Sequence, residues 1–353
     1  MVLNKNIKIF INYFLGPLLF VWLCYSIYHQ IQNQPHLKAS WLHVKETLQS
    51  GKILYLIFAF LLMPVNWGLE AFKWKLAVGL VHRLSFLQAF KAVLSGVSFS
   101  VTTPNRVGEY LGRIMYMPEG KRLKIIPITL IGSLSQILIT LAFGTLGFLI
   151  LKYYLLQSNL VSLITFQFMA FGLLVLVTIL TMFYFNLVFF EKILERWLKS
   201  SPYLYLIQSV AAFNLQLLTR LLLLSCVRYG VFIIQYLLLF RLFDVNAALS
   251  NLIWAMSLVF LALAAIPSIT LVELGIRGEV SLQLISIFAG NNLGILLTSV
   301  SVWFINLIMP ALAGSLLMLS IKVFKRRSKT HGLAKKYISP KNIPVVNKAN
   351  NRQ

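Results

Sequence analysis

The stretch from Ile125 to Leu151, IIPITLIGSLSQILITLAFGTLGFLIL, carries no charged residue. Its length exceeds the roughly 20 apolar residues that carry a helix across a hydrocarbon core. Inside a bilayer every backbone N–H and C=O must find a partner within the protein, so such a run folds as a helix or as part of a closed barrel. An apolar run this long, without period-two alternation, selects the helix. Comparable runs recur at Ile9 to Ile27, from Ile53 into NWGLEAFKWK, at Leu160 to Phe185, Leu221 to Phe240, Leu249 to Ile266 and Ile295 to Leu319, with a shorter one in SLQLISIF. The run from Phe86 to Val101 is short and rich in Ser and Gly, which suits a re-entrant or broken helix better than a crossing. The sequence therefore predicts an all-α polytopic membrane helix bundle, with about eight spans plus that re-entrant segment. Residues 1–320 form the transmembrane domain in this reading, and residues 321–353 a basic cytoplasmic tail too poor in apolar residues to build a core.

Charge sets the orientation. Thirty-two Lys and Arg against nine acidic residues give a net charge of +23. In a soluble domain that excess would suggest nucleic acid, but here the positive-inside rule accounts for it and no nucleic-acid partner is expected. Lys73, Lys75, Arg83, Lys91, Arg106, Arg113, Lys121, Arg122 and Lys124 fall between the second and third spans, and SIKVFKRRSK follows the last one. The opposite side receives Lys38, Lys45, Lys52, Lys152 and Arg241. That asymmetry predicts a multi-pass protein with both termini cytoplasmic. Lys5 and Lys8 precede the first run, but no small-x-small cleavage site follows it, so it reads as a retained helix, kinked at Gly16-Pro17. In the polar loop from His29 to Lys52, the spacing of Trp41, Leu42, Val44 and Leu48 predicts a short helix on the membrane surface.

The informative residues are the charged ones that interrupt this apolar chain. In TTPNRVGEYLGR, Glu109 and Arg113 are four apart, an order that favours an ion pair on one helix face, with Arg106 a turn earlier. Pro104 can open that helix, and Gly108 and Gly112 form a smooth strip for close approach of another backbone or a head group. AAIPSITLVELGIRGEVS repeats the idea: Pro267, then Glu273 and Arg277 four apart, with Gly275, Gly278 and Glu279 around them. Short segments interrupted by Pro and Gly at corresponding positions of two halves point to a transporter binding site and to an inverted repeat. Arg220, Arg228 and Gln235 fall within about 100° of one helix face, over about 22 Å of axis. A helix-centre arginine costs about 2.5–3.5 kcal/mol on insertion scales, so Arg228 should face the bundle interior, where Glu109, Glu273 and Glu279 are its expected partners. Glu70 and Lys73 lie between Trp67 and Trp74 at the end of the second span, where snorkelling to the interface is the expected role.

No enzymatic constellation stands out. The five histidines show no HExxH or paired ligand spacing, Cys24 and Cys226 lie in apolar runs, and there is no Walker A motif. No metal and no cofactor is expected, and the chain is more readily a non-enzyme than an enzyme.

Taken together, TPNRVGEYLGR, RYGVFIIQY and PSITLVELGIRGEVS resemble the transmembrane region of lysylphosphatidylglycerol synthases, a flippase-like integral membrane domain that also occurs alone. The family counterparts read approximately T-P-x-R-x-G-E and P-x-x-x-G-x-x-E, and the resemblance covers Ile9 to Leu319. Here Ser268, Ile269 and Thr270 follow Pro267, where the family is usually glycine-rich. The resemblance implies a multi-helix domain that moves a lipid or lipid-linked group between leaflets. In full-length relatives a soluble aminoacyl-transfer domain follows; residues 320–353 are too few to hold one, so lysyl transfer by this chain alone is not expected. The leading expectation is an inner-membrane flippase-like protein for an anionic lipid or lipid-linked group. Its candidate substrate-binding residues are Arg106, Glu109, Arg113, Arg228, Glu273, Arg277 and Glu279. Membrane lipids are the expected partners, with enzymes of envelope-lipid biosynthesis a further expectation. The alternatives are a non-transporting accessory protein of an envelope lipid or polysaccharide pathway, and a membrane-embedded transferase acting on a lipid-linked donor.

Overall fold

The computed structural model describes residues 51–101, 103, 107–187, 209–266 and 270–319, together with Tyr25, Phe189, Glu191 and Glu195. The expected first span at Ile9 to Ile27, the surface helix around Trp41 to Leu48 and the tail beyond residue 320 lie outside the described residues. All regular structure among the described residues is helical. The helices are α1 (Ile53–Val78), α2 (Phe86–Val101), α3 (Gly108–Ile114), α4 (Ile125–Ile150), α5 (Lys152–Gln157), α6 (Leu163–Phe185), α7 (Leu215–Leu242), α8 (Leu249–Ala265), α9 (Thr270–Ile285), α10 (Asn292–Trp303) and α11 (Met309–Leu319). A π-turn at Phe304–Ile308 joins α10 to α11, so that Asn292–Met318 runs as one continuous span. With α1, α4, α6 and α7 this makes five helices long and apolar enough to cross a membrane, while α2 and α8 are shorter apolar helices.

Local chemistry starts these elements where the sequence changes character. Ser162, Asn214 and Asn291 cap α6, α7 and α10, each side-chain oxygen accepting from a backbone N–H three residues on. Helix α2 opens with a reciprocal capping box, in which the Ser85 and Gln88 side chains each bond the other's backbone N–H. Helix α6 stays at the periphery, with Ile164, Phe168, Phe171 and Met182 exposed, as suits a lipid-facing helix.

Two hairpins enter the bundle from opposite ends. In the first, α3 folds back on α2 at backbone contact. A Cβ on Gly112 would lie 2.4 Å from the Gly96 nitrogen, and one on Gly108 would lie 2.2 Å from the Phe99 carbonyl oxygen. Lys121 Nζ donates to the Val81 carbonyl at 2.9 Å, which ties the base of this hairpin to the end of α1. In the second, α8 runs along α4, with Trp254 beside Gly147 and Leu261 beside Gly144. It ends with Ala264–Ile266 opposite Gln136, Ile137 and Thr140, halfway along α4. Helix α9 then returns toward the end from which α8 started, where Asn291 Nδ2 donates to the Phe243 carbonyl at 2.9 Å. At 1.5 Å per residue α8 and α9 are each about 25 Å long, less than a hydrocarbon core of about 30 Å. Hydropathy reads Leu249 to Ile266 and SLQLISIF as separate crossings; the structure makes them the two arms of one hairpin. In the sequence Pro267 stands between the two arms, and a proline disfavours continuation of a helix.

The ion pair of Lys52 with Asp244, 2.6 Å, joins the start of α1 to the end of α7 and marks the end from which the α8–α9 hairpin enters. Two units with the same plan follow. Helix α1, the α2–α3 hairpin and α4 form one; α7, the α8–α9 hairpin and α10–α11 form the other, running in the opposite sense. That order of elements, helix, hairpin, helix in each unit, is the plan an inverted repeat takes. Two apolar cores accompany it. One gathers Trp74, Ile128, Leu221 and Ile308, and the other Phe148, Tyr236, Met256 and Ile295.

The glycine contacts give a direct test. Replacing Gly112 by Val should lower stability by about 1–3 kcal/mol or more, since it overpacks a backbone contact. Gly275 has no neighbouring atom within 4 Å of a built Cβ, and Gly275→Ala should change stability by less than about 1 kcal/mol. Thermal unfolding of the detergent-purified variants reads both; equal effects would contradict the close α2–α3 contact.

Candidate functional site

Between the two apolar cores lies a layer of polar side chains with Glu70 at its centre. Its Oε1 accepts from Arg113 Nη2 of α3 at 2.9 Å. Its Oε2 accepts from Lys73 Nζ of its own helix and from Arg228 Nη1 of α7, both at 2.9 Å. The Glu70, Lys73 and Arg113 side chains are 6%, 2% and 2% exposed, so this is a desolvated cluster rather than an interfacial one. Arg113 also pairs with Glu109. Aromatic faces complete the cation environment: Arg228 Cζ lies 5.1 Å from the Trp67 ring centroid and Arg113 Cζ lies 5.7 Å from that of Trp74.

A chain of amides extends the layer. Arg228 Nε donates to Asn66 Oδ1 at 2.7 Å, Asn66 Nδ2 to Asn306 Oδ1 at 3.3 Å, Asn306 Nδ2 to Gln235 Oε1 at 3.1 Å, and Gln235 Nε2 to the Ala59 carbonyl at 2.9 Å. Asn306 stands inside the π-turn, a helical defect common at functional sites. Lys73 Nζ donates to Ser225 Oγ at 3.2 Å, and Ser225 Oγ lies 2.8 Å from Ser135 Oγ.

Beside this layer is a cavity of about 560 Å³. Arg228 forms part of its wall from the middle of α7, and Glu273 and Arg277 form another part from the first turns of α9. Arg277 pairs with Glu273 and donates from Nη1 to the Tyr236 hydroxyl at 2.8 Å. Trp67, Gln136, Thr140 and Asn306 add polar edges, and Phe232, Phe260 and Leu263 add apolar wall. Such a lining takes a polar head with an apolar body, and guanidinium groups suit phosphate or carboxylate. Among the described residues no three His, Cys, Asp or Glu side chains gather as a metal ion requires.

The predicted residues divide. Arg228, Glu273 and Arg277 line the cavity, and Glu109 and Arg113 join the polar cluster that Arg228 shares. Glu279 is exposed, bonded to Gln283 within its own helix, and does not line the cavity. Arg106 lies outside the described residues. Arg228 finds Glu70 and Asn66, neither of which was among its expected partners. Arg220, on the same face by periodicity, is exposed near the start of α7, so only Arg228 and Gln235 of that stripe turn inward.

Glu70 and Lys73 are corrections of a different kind: they do not snorkel, because α3 and α7 close over them with Arg113 and Arg228. Lys73 and Arg113 accordingly leave the set of surface charges, although the remaining basic residues keep the asymmetry. The signal for Glu70 was present in the spacing. Asn66, Glu70 and Lys73 stand at i, i+4 and i+7, one polar stripe down a helix whose one other charged residue, Lys75, lies in its last turn.

Removing Glu70 leaves three buried cations without their common partner, and breaking a buried pair typically costs about 3–5 kcal/mol. Glu70→Ala should therefore destabilise the purified protein by about that amount, whereas Glu279→Ala should stay within about 0.5 kcal/mol. Chemical or thermal unfolding in detergent measures both, and a stable Glu70→Ala would contradict the hub assignment.

A search of curated proteins gives no match to this chain. The family model described as the lysylphosphatidylglycerol synthase TM region matches residues 13–314, a stretch that includes both hairpins, the Glu70 cluster and the cavity. The chain belongs to the lysylphosphatidylglycerol synthase transmembrane-region family.

Proposed function

We propose that this protein moves an anionic lipid, or an anionic lipid-linked group, between the leaflets of the cell inner membrane. The observation that carries the reading is the cavity halfway along α4 and α7, where Arg228, Arg277 and Glu273 meet the open end of a re-entrant hairpin. A head group crossing a bilayer needs polar partners at the depth where lipid offers none, and that is the depth of Arg228. Arg228 and Arg277 bind the head-group anion, Glu273 and Glu70 orient them, and Glu109 holds Arg113 against Glu70. Two hairpins that enter from opposite ends support alternating access, with the α8–α9 hairpin lining the cavity directly and the α2–α3 hairpin reaching it through the pairing of Arg113 with Glu70. Family membership in an integral membrane region associated with lipid handling supports the lipid as cargo. The exposed basic residues between α1 and α4 support cytoplasmic termini. Membrane lipids are then the partners, and an enzyme that makes the anionic lipid is the natural supplier.

Translocation of a fluorescent phosphatidylglycerol analogue in proteoliposomes tests the reading. A charge-assisted hydrogen bond contributes about 1.5–3 kcal/mol, so Arg228→Gln and Arg277→Gln should each slow translocation roughly 10- to 100-fold at matched, monodisperse protein. Wild-type rates in both folded variants would sink the site, and no protein-dependent translocation in wild type would sink the function. Orientation has its own check: a reporter fused after Leu319 should report cytoplasm, and Gln34→Cys should label from outside. Labelling of both from one side would reverse that part.

A further inference from the structure

Among the described residues the charges of this site do not balance. Lys73, Arg113, Arg228 and Arg277 face Glu70, Glu109 and Glu273, four cations against three carboxylates. Guanidinium groups keep their proton in proteins, whereas a lysine ammonium gives its proton up readily when buried. The excess charge therefore has two remedies, the arrival of an anion beside Arg228 or the departure of the proton on Lys73. Each remedy weakens the demand for the other, because both act through Glu70, which Lys73 and Arg228 share at the same oxygen.

We propose that Lys73 is a proton-binding site linked to the cavity, so that an anion binds at Arg228 together with a proton at Lys73 and the two leave together. This rests on the reading of the cavity as an anion site and adds the coupling ion to it. The balance is simple: neutral Lys73 takes one proton from solvent as a singly charged anion arrives, and returns it when the anion leaves. No bond other than N–H forms or breaks.

The surroundings of Lys73 supply the means. Its ammonium donates to Ser225 Oγ at 3.2 Å, and Ser225 lies 2.8 Å from Ser135, giving two buried hydroxyls in series toward α4. From its own helix α1 the charged neighbour is Glu70; α7 contributes Arg228, and α3 contributes Arg113 with Glu109 behind it. Helices α4 and α11 carry no charged residue, and α2 carries only Lys91, near its start. Lys73 is thus the cation of this cluster that can give up its proton, since the guanidinium groups of Arg113 and Arg228 keep theirs.

The test is calorimetric titration of the full chain in detergent with dihexanoylphosphatidylglycerol, in buffers that differ in ionisation enthalpy. This diester does not itself titrate near neutral pH, so any proton exchanged belongs to the protein. Wild type should take up a proton on binding, approaching one per site as pH rises. Lys73→Arg, which holds its charge, and Lys73→Met, which never has one, should bind without proton uptake. Binding by wild type with no proton exchange overturns the coupling and leaves the anion site standing, as does uptake that persists in both variants. No binding by wild type overturns the anion site itself, and the coupling with it.

Discussion

A carboxylate held among apolar helices has to be neutralised where it stands, and Glu70 is neutralised by three cations at once. Lys73 comes from its own helix, Arg113 from α3 and Arg228 from α7. Each cation is as costly to bury alone as the carboxylate, so Glu70 cannot leave without stranding all three. This mutual dependence fixes the depth of α3, the rotation of α1 and the face that α7 turns inward. The contact of α3 with α2 through Gly96, Gly108 and Gly112 then follows, because Arg113 reaches Glu70 only if the two backbones lie against each other.

The same layer separates two apolar cores and is where the inverted units meet. A hairpin that stops short of crossing leaves helix ends and polar backbone at mid-depth, which a bilayer tolerates only where protein or a wet cavity surrounds them. Here the end of α8 and the start of α9 adjoin the cavity with Arg228 and Arg277. The cavity and the hairpin therefore imply each other: the hairpin opens the polar space, and the polar space accommodates the broken end. The π-turn adds to this by turning Asn306 toward Asn66 and Gln235 in an otherwise apolar span.

Much of this was legible in the chain itself. Uncharged runs such as Ile125 to Leu151 gave the helical membrane class, and the four-residue spacing of Glu109 with Arg113 and of Glu273 with Arg277 gave two ion pairs that form as read. The family motifs were legible too. Hydropathy misleads at α8 because a hairpin arm can be as apolar as a span and differs from it in length, whereas at α9 the apolar run SLQLISIF covers only the last part of a helix that begins with Glu273 and Arg277 in its first turns. Glu70 departs from its expected role for a related reason. Its position near the end of α1 suits snorkelling until α3 and α7 are placed over it, and that is a long-range fact. The two glycine sets, alike in sequence, also differ in use: Gly112 is pressed on backbone while Gly275 faces open space.

The central claim is that an anionic head group occupies a wet cavity halfway along α4 and α7. Thr140 lies in the cavity wall. With Cys24 and Cys226 replaced by serine, Thr140→Cys can be challenged with a membrane-impermeant thiol reagent in the presence of short-chain lipids. The account predicts that Cys at this position reacts, and that dihexanoylphosphatidylglycerol slows the reaction while uncharged dihexanoylglycerol does not. An unreactive thiol, or equal protection by the charged and uncharged lipids, would contradict it.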